Sequence, residues 1–68
     1  MYRNLKAELV RYDITNLEIA ERLNITQGTA SLKVNGKAKV SVEEAFLFQD
    51  LIHEKSGKLI PIEELFKV

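Results

Sequence analysis

Between Thr15 and Gly36 the chain carries two complete sets of helix start and stop signals, and this spacing limits the possible fold more than any other feature. Thr15-Asn16-Leu17-Glu18 is a capping box, in which the Thr15 hydroxyl accepts from the Glu18 amide while the Glu18 side chain reaches back to the Thr15 amide. A helix over residues 16–23 follows, with Ile19, Ala20 and Leu23 as its apolar stripe. Asn24 is the residue best able, after glycine, to hold the left-handed conformation that ends a helix. Thr26 can cap a further helix over 27–34, and Asn35-Gly36 stops it. Two short helices must therefore meet across a very tight turn.

The flanking segments are helical as well. Leu5 and Leu9 stand at i and i+4 with Tyr2, Ala7 and Tyr12 nearby, which predicts a first helix over 3–12 that Asp13 ends. Ser41-Val42-Glu43-Glu44 is a second capping box, opening a helix over 42–54 whose stripe is Ala45, Phe48, Leu51 and Ile52. Ser56-Gly57 closes it, and Pro61 stands at the first position of a last helix over 62–66. No strand pattern, repeat or linker interrupts this order, so the expectation is an all-α, five-helix single domain over residues 1–68. Helices this short do not persist alone in water, so packing must hold them.

Composition adds exclusions. With no cysteine and one histidine among 68 residues, neither a disulfide framework nor a zinc site of the usual spacing can be assembled, and no metal or cofactor is expected. No apolar run approaches a membrane span, and Met1-Tyr2-Arg3-Asn4 lacks the apolar stretch of a signal peptide, which predicts a cytoplasmic protein with no membrane partner. Val68 follows the last helix closely, as expected of a complete small protein. Ten Lys/Arg against ten Asp/Glu give zero net charge, which argues against holding nucleic acid through bulk charge. The distribution is lopsided, however: Arg22, Lys33, Lys37 and Lys39 occupy a stretch without a carboxylate, whereas six carboxylates stand against three lysines from Glu43 onward. Such a stretch either meets something anionic or is an ordinary solvated surface.

A helix, a three- or four-residue turn and a second short helix with a polar, uncharged outer face is the layout of a helix-turn-helix, and Asn16 to Asn35 fits it. Ala20 is small where the two helices cross, Asn24 suits the turn, and Ile19, Leu23, Ile25 and Ala30 fill the space between. The run Thr15-Asn16-Leu17-Glu18-Ile19-Ala20-Glu21-Arg22-Leu23-Asn24-Ile25-Thr26, followed by Asn35-Gly36-Lys37 and the terminal Ile62-Glu63-Glu64-Leu65-Phe66, resembles the lambda-repressor and Cro-like family of phage and bacterial regulators from Leu5 through Phe66. It departs from the family's pattern at Asn16 for Gln, at Asn24 for Gly, and at Lys33, where many members place an aliphatic residue; Val34 is then left to take the core role.

The resemblance implies a lambda-repressor-like bundle with its helix-turn-helix at helices two and three, and a sequence-specific transcriptional regulator, of phage or prophage type, that binds a double-stranded DNA operator. It places Gln27, Gly28, Thr29, Ser31 and Leu32 at base edges in the major groove. Gln27 can bond adenine bidentately, Thr29 and Ser31 can donate or accept, Leu32 can touch a thymine methyl, and Gly28 lets the backbone come close. Plain alternatives exist: first-turn polar residues for Gln27 and Thr29, a glycine that costs little near a helix start for Gly28, and inward packing for Leu32. Asn16, Lys33, Asn35, Lys37 and Lys39 are implied phosphate contacts, with Arg22 a weaker candidate; the alternatives are a solvated loop for Lys37 and Lys39 and a turn former for Asn35. Val40, Ser41 and Val42 offer no arginine for the minor groove.

Catalysis is not expected, since His53 has no cysteine partner and the pairs Glu43-Glu44 and Glu63-Glu64 open helices, where negative charge is favourable anyway. No small-molecule substrate is implied. A homodimer on a palindromic operator is expected, with Phe46 and Val68 either pairing the protomers or packing in the core. Six to eight phosphate-bound cations per dimer would give a slope of log affinity against log salt of about −5 to −7. The competing interpretation is a protein-interaction module of the same shape, anti-repressor or antitoxin-like, since Phe46, Leu47 and the Leu65-Phe66-Lys67-Val68 end supply more apolar surface than one small core needs.

Overall fold

In the computed structural model, which describes all 68 residues, the start and stop signals produce five helices and no strand: α1 (Arg3–Arg11), α2 (Asn16–Leu23), α3 (Gln27–Val34), α4 (Val42–Ser56) and α5 (Ile62–Leu65). Both capping boxes form, with Thr15 accepting from the Glu18 amide at 3.2 Å and Ser41 from the Glu44 amide at 3.1 Å. α2 and α3 have the expected bounds. The other ends differ for local reasons. Tyr12 caps α1 and Asp13 turns left-handed (φ 54°), so α1 stops short of Tyr12. α4 runs past Glu54 to Ser56 because the first left-handed residue is Gly57 (φ 74°), whose amide donates to the His53 carbonyl at 2.8 Å. Pro61, with ψ 143°, is the cap of α5 and not its first helical residue, and Phe66 caps the other end.

The expected apolar stripes converge. Leu5 and Leu9 of α1, Ile19, Ala20 and Leu23 of α2, Ala30 and Val34 of α3, and Ala45, Phe48, Leu51 and Ile52 of α4 are all buried. Two core residues come from outside those stripes. The left-handed turn at Asp13 swings Ile14 inward, its amide donating to the Leu9 carbonyl at 2.8 Å. Leu65 is fully buried, so the C-terminal apolar end is core in part and not wholly surplus surface. Phe66 stacks edge-on against Phe48 and Tyr2, with centroids 5.8 and 5.1 Å apart, and Asn4 donates to the Glu64 carbonyl at 2.9 Å, joining the two ends of the chain. The radius of gyration is 10.5 Å, close to the roughly 11 Å that chain length predicts. No helix is long and apolar enough to cross a membrane.

Ion pairs brace the helices from outside: Arg22 of α2 meets Glu54 of α4, and Lys55 of α4 meets Glu18 of α2 at 2.9 Å. The Lys55 ammonium, together with the Thr15 amide, holds the Glu18 carboxyl below its ordinary 4.5; the Ser41 amide and then Lys33 do the same for Glu44. Both carboxyls are more acidic folded than unfolded, so the unfolded chain binds more protons in acid. Their stabilisation is complete above the unfolded value and lost as pH falls through the folded values. Thermal melts should therefore drop in midpoint below about pH 4.5, and the Glu18→Gln, Glu44→Gln double variant should show a shallower acid limb than the parent.

Candidate nucleic-acid interface

Asn24 sets the approach of α3 to α2. Its left-handed backbone (φ 58°, ψ 49°) ends α2, and the Ile25 amide donates back to the Ala20 carbonyl at 2.9 Å, so the chain reverses within Asn24–Thr26. Thr26 then accepts from the Thr29 amide at 3.2 Å and starts α3. Ala30 and Val34 turn inward, the role expected of Val34 in place of its neighbour. The opposite face is left to Gly28 and Leu32, one helical turn apart and both exposed, with Gln27 exposed at the start and Thr29 and Ser31 half-buried on the flanks. Leu32 does not pack inward; it is 46% exposed.

The side chains of this face differ in what they are free to do. Gln27 makes no hydrogen bond within the chain. Thr29 accepts from the Thr26 hydroxyl at 2.9 Å and keeps its own proton to donate. Ser31 is engaged by Asn35, whose side-chain amide donates to the Ser31 carbonyl at 2.9 Å. Nothing lies within 4 Å of where a Cβ on Gly28 would stand, so the fold does not require glycine there. Gly28→Ala should raise stability in a denaturant titration by up to about 0.5–1 kcal/mol, the ordinary gain of alanine over glycine inside a helix.

Folding gives the expected phosphate residues different surroundings. Lys33 is not offered to solvent: its Nζ donates to the Lys39 carbonyl at 2.7 Å and to Glu44 Oε1 at 2.9 Å, and its side chain is 12% exposed. In the free chain its charge is met by a carboxylate that the linear sequence places eleven positions away. Arg22 is likewise met by Glu54. Asn35 caps α3 through its side-chain amide, one N–H of which donates to the Ser31 carbonyl. Lys37 and Lys39 remain exposed with no carboxylate within ion-pair distance. Their loop is folded against the end of α3, the Lys37 amide donating to the Leu32 carbonyl at 2.8 Å. Gly36 (φ 73°) lets Met1 approach, whose backbone nitrogen would lie 3.2 Å from an added Cβ. Asn16 is exposed at the first turn of α2, and no hydrogen bond joins it to this loop.

The structure thus brings Gln27, Gly28, Thr29, Ser31 and Leu32 together on one short helix, with Lys37 and Lys39 in the loop that caps it. Asn16 stands on a separate element. No family model, no curated protein and no solved structure matches this chain. Its own geometry must carry the functional argument.

Sequence reasoning missed Glu44 as part of this region. The capping box announced its bond to Ser41, but nothing local announces that Lys33 reaches the same oxygen. A second feature lies beside it. An apolar groove of about 550 Å³ runs between the first turn of α4 and α5, walled by Val42, Phe46, Ile62 and Phe66. Phe46 is half exposed and Val68 almost wholly so; neither packs in the core.

Proposed function

We propose that this chain is a helix-turn-helix regulator of the lambda-repressor and Cro-like type that binds double-stranded DNA in a sequence-specific way, with α2 and α3 as the motif and α3 entering the major groove. The observation that carries the proposal is the outer face of α3. Gln27, Gly28 and Leu32 form an exposed, uncharged surface that serves nothing inside the domain, and Lys37 and Lys39 stand unpaired in the adjoining loop. Such a face suits base edges: an amide for adenine, hydroxyls on Thr29 and Ser31, an apolar tip for a thymine methyl and a glycine that admits the backbone. The two lysines suit phosphate, and Asn16 at the exposed start of α2 suits a further phosphate oxygen.

One such module makes few contacts, so a homodimer reading a palindrome with half-sites about one helical turn apart is part of the proposal. The groove beside Phe46 is a surface on which two protomers can meet. No catalytic role is assigned to any residue. Internal pairing of Arg22 and Lys33 favours a second reading, a protein-interaction module, because it leaves the α3 side with two free cations in place of four. Retention of random duplexes at about physiological salt, with sequencing of the retained pool, decides between them. Enrichment of a palindrome supports the regulator, and Gln27→Ala with Thr29→Ala should then flatten the preference. No enrichment and no salt-dependent retention would favour the protein-binding module.

A further inference from the structure

Lys33 is a cation almost withdrawn from solvent on a helix whose other long side chains point outward. Its ammonium joins three places at once: the end of α3, the Lys39 carbonyl at 2.7 Å, and Glu44 in the first turn of α4 at 2.9 Å. The same Glu44 oxygen accepts from the Ser41 amide at 3.0 Å. Meanwhile the Gly36 amide donates to the Lys33 carbonyl at 3.2 Å, and the Lys37 and Ala38 amides donate to the Leu32 carbonyl at 2.8 and 3.3 Å. The loop between α3 and α4 is thus tied at its start by backbone bonds and at its end by one side chain. Without Lys33, the Lys39 carbonyl loses the only partner it has in the chain, and the second half of the loop loses its tie to α3.

We infer that Lys33 and Glu44 form a latch that holds the Lys37–Lys39 loop in the shape in which it meets phosphate, so that Lys33 is a positioning residue for DNA binding and not a contact. The inference rests on the DNA-binding reading for its functional consequence, but the latch itself is a property of the free protein. Ordering a loop on binding costs affinity that a pre-ordered loop does not lose, so an unlatched protein should bind every duplex more weakly, by roughly tenfold.

The test uses the full chain with Lys33→Met, which keeps the stem, and Glu44→Gln, which keeps the acceptor of the capping box. In the free protein, exchange at the Lys37 and Ala38 amides, the loop amides that are hydrogen-bonded, should quicken in both variants while amides in α2 and α4 hold their protection. Salt titrations of duplex binding separate a latch from a contact. A latch predicts weaker binding with the parent's slope, whereas loss of a phosphate-bound lysine from each protomer of a dimer would shift the slope by about two units. Glu44→Gln gives the sharpest outcome: removing a negative charge tightens binding to DNA if charge alone matters, and weakens it if the latch matters. The double variant should be no worse than Lys33→Met alone, as expected for two halves of one interaction. Unchanged loop exchange in both variants, a reduced slope in Lys33→Met, or tighter binding by Glu44→Gln would each overturn the inference. A parent protein that binds no duplex would overturn the DNA-binding reading instead, and the exchange measurement would still decide whether the latch exists.

Discussion

Phe48→Ala is expected to abolish the cooperative thermal transition of this domain. Phe48 is fully buried on α4 and touches Phe66 edge-on, which in turn touches Tyr2, so one ring ties the longest helix to both ends of the chain. Truncating a buried phenylalanine costs about 3–5 kcal/mol, the sum of lost transfer energy and the cavity left behind. A core of this size leaves a net stability of only about 3–5 kcal/mol, with no disulfide or metal to add to it. The loss therefore matches or exceeds the whole. Far-ultraviolet circular dichroism at 25 °C should show a strongly reduced helical signal, since helices of four to fifteen residues do not survive without packing. Leu59→Ala is the control: Leu59 is exposed in the segment between α4 and α5 and should change stability by no more than about 0.5 kcal/mol. A Phe48→Ala protein that still melts cooperatively near the parent's midpoint would show that the core can collapse around the missing ring.

The same contrast explains which parts of the fold the sequence announces. Capping boxes, the left-handed Asn24 and the i, i+4 leucines act over four residues or fewer, so they can be read from the chain alone, and the bounds of α2 and α3 follow from them. Ile14 and Leu65 lie outside any periodic stripe, and their burial depends on a left-handed turn and on the return of the C-terminus, which no local pattern encodes. The α3 face was legible for the same reason as the helix itself: once Ala30 and Val34 face inward, Gly28 and Leu32 must face out. The charge pattern was not. Four cations in a stretch without carboxylates look like a basic patch until α4 folds across and brings Glu44 to Lys33 and Glu54 to Arg22. Those pairings span eleven and thirty-two positions, so a linear count of charge overstates what the folded surface offers.

Lys37→Gln with Lys39→Gln is expected to have the second large effect. If a dimer of the parent grips DNA through these two lysines from each protomer, four cations meet phosphate, and the slope of log affinity against log salt should be about −3 to −4, shallower than the linear sequence suggests. The double variant should bring that slope to within about one unit of zero, because Asn16 and the helix amides displace no bound counterion. At about 1 kcal/mol net for each charge-assisted contact, the loss of four should weaken binding about a thousandfold at low salt, for every sequence alike. Stability should hold to within about 0.5 kcal/mol, since neither side chain has a partner in the chain and the bonds that shape the loop run through its backbone. A large loss of binding without loss of stability distinguishes a contact surface from a structural one. A parent slope of −5 or steeper would mean that further cations reach phosphate, and a fall of about two units in Lys33→Met would then show that Lys33 has left the latch. A variant that keeps the parent's slope would mean that other cations grip the DNA and that the proposed orientation of α3 is wrong.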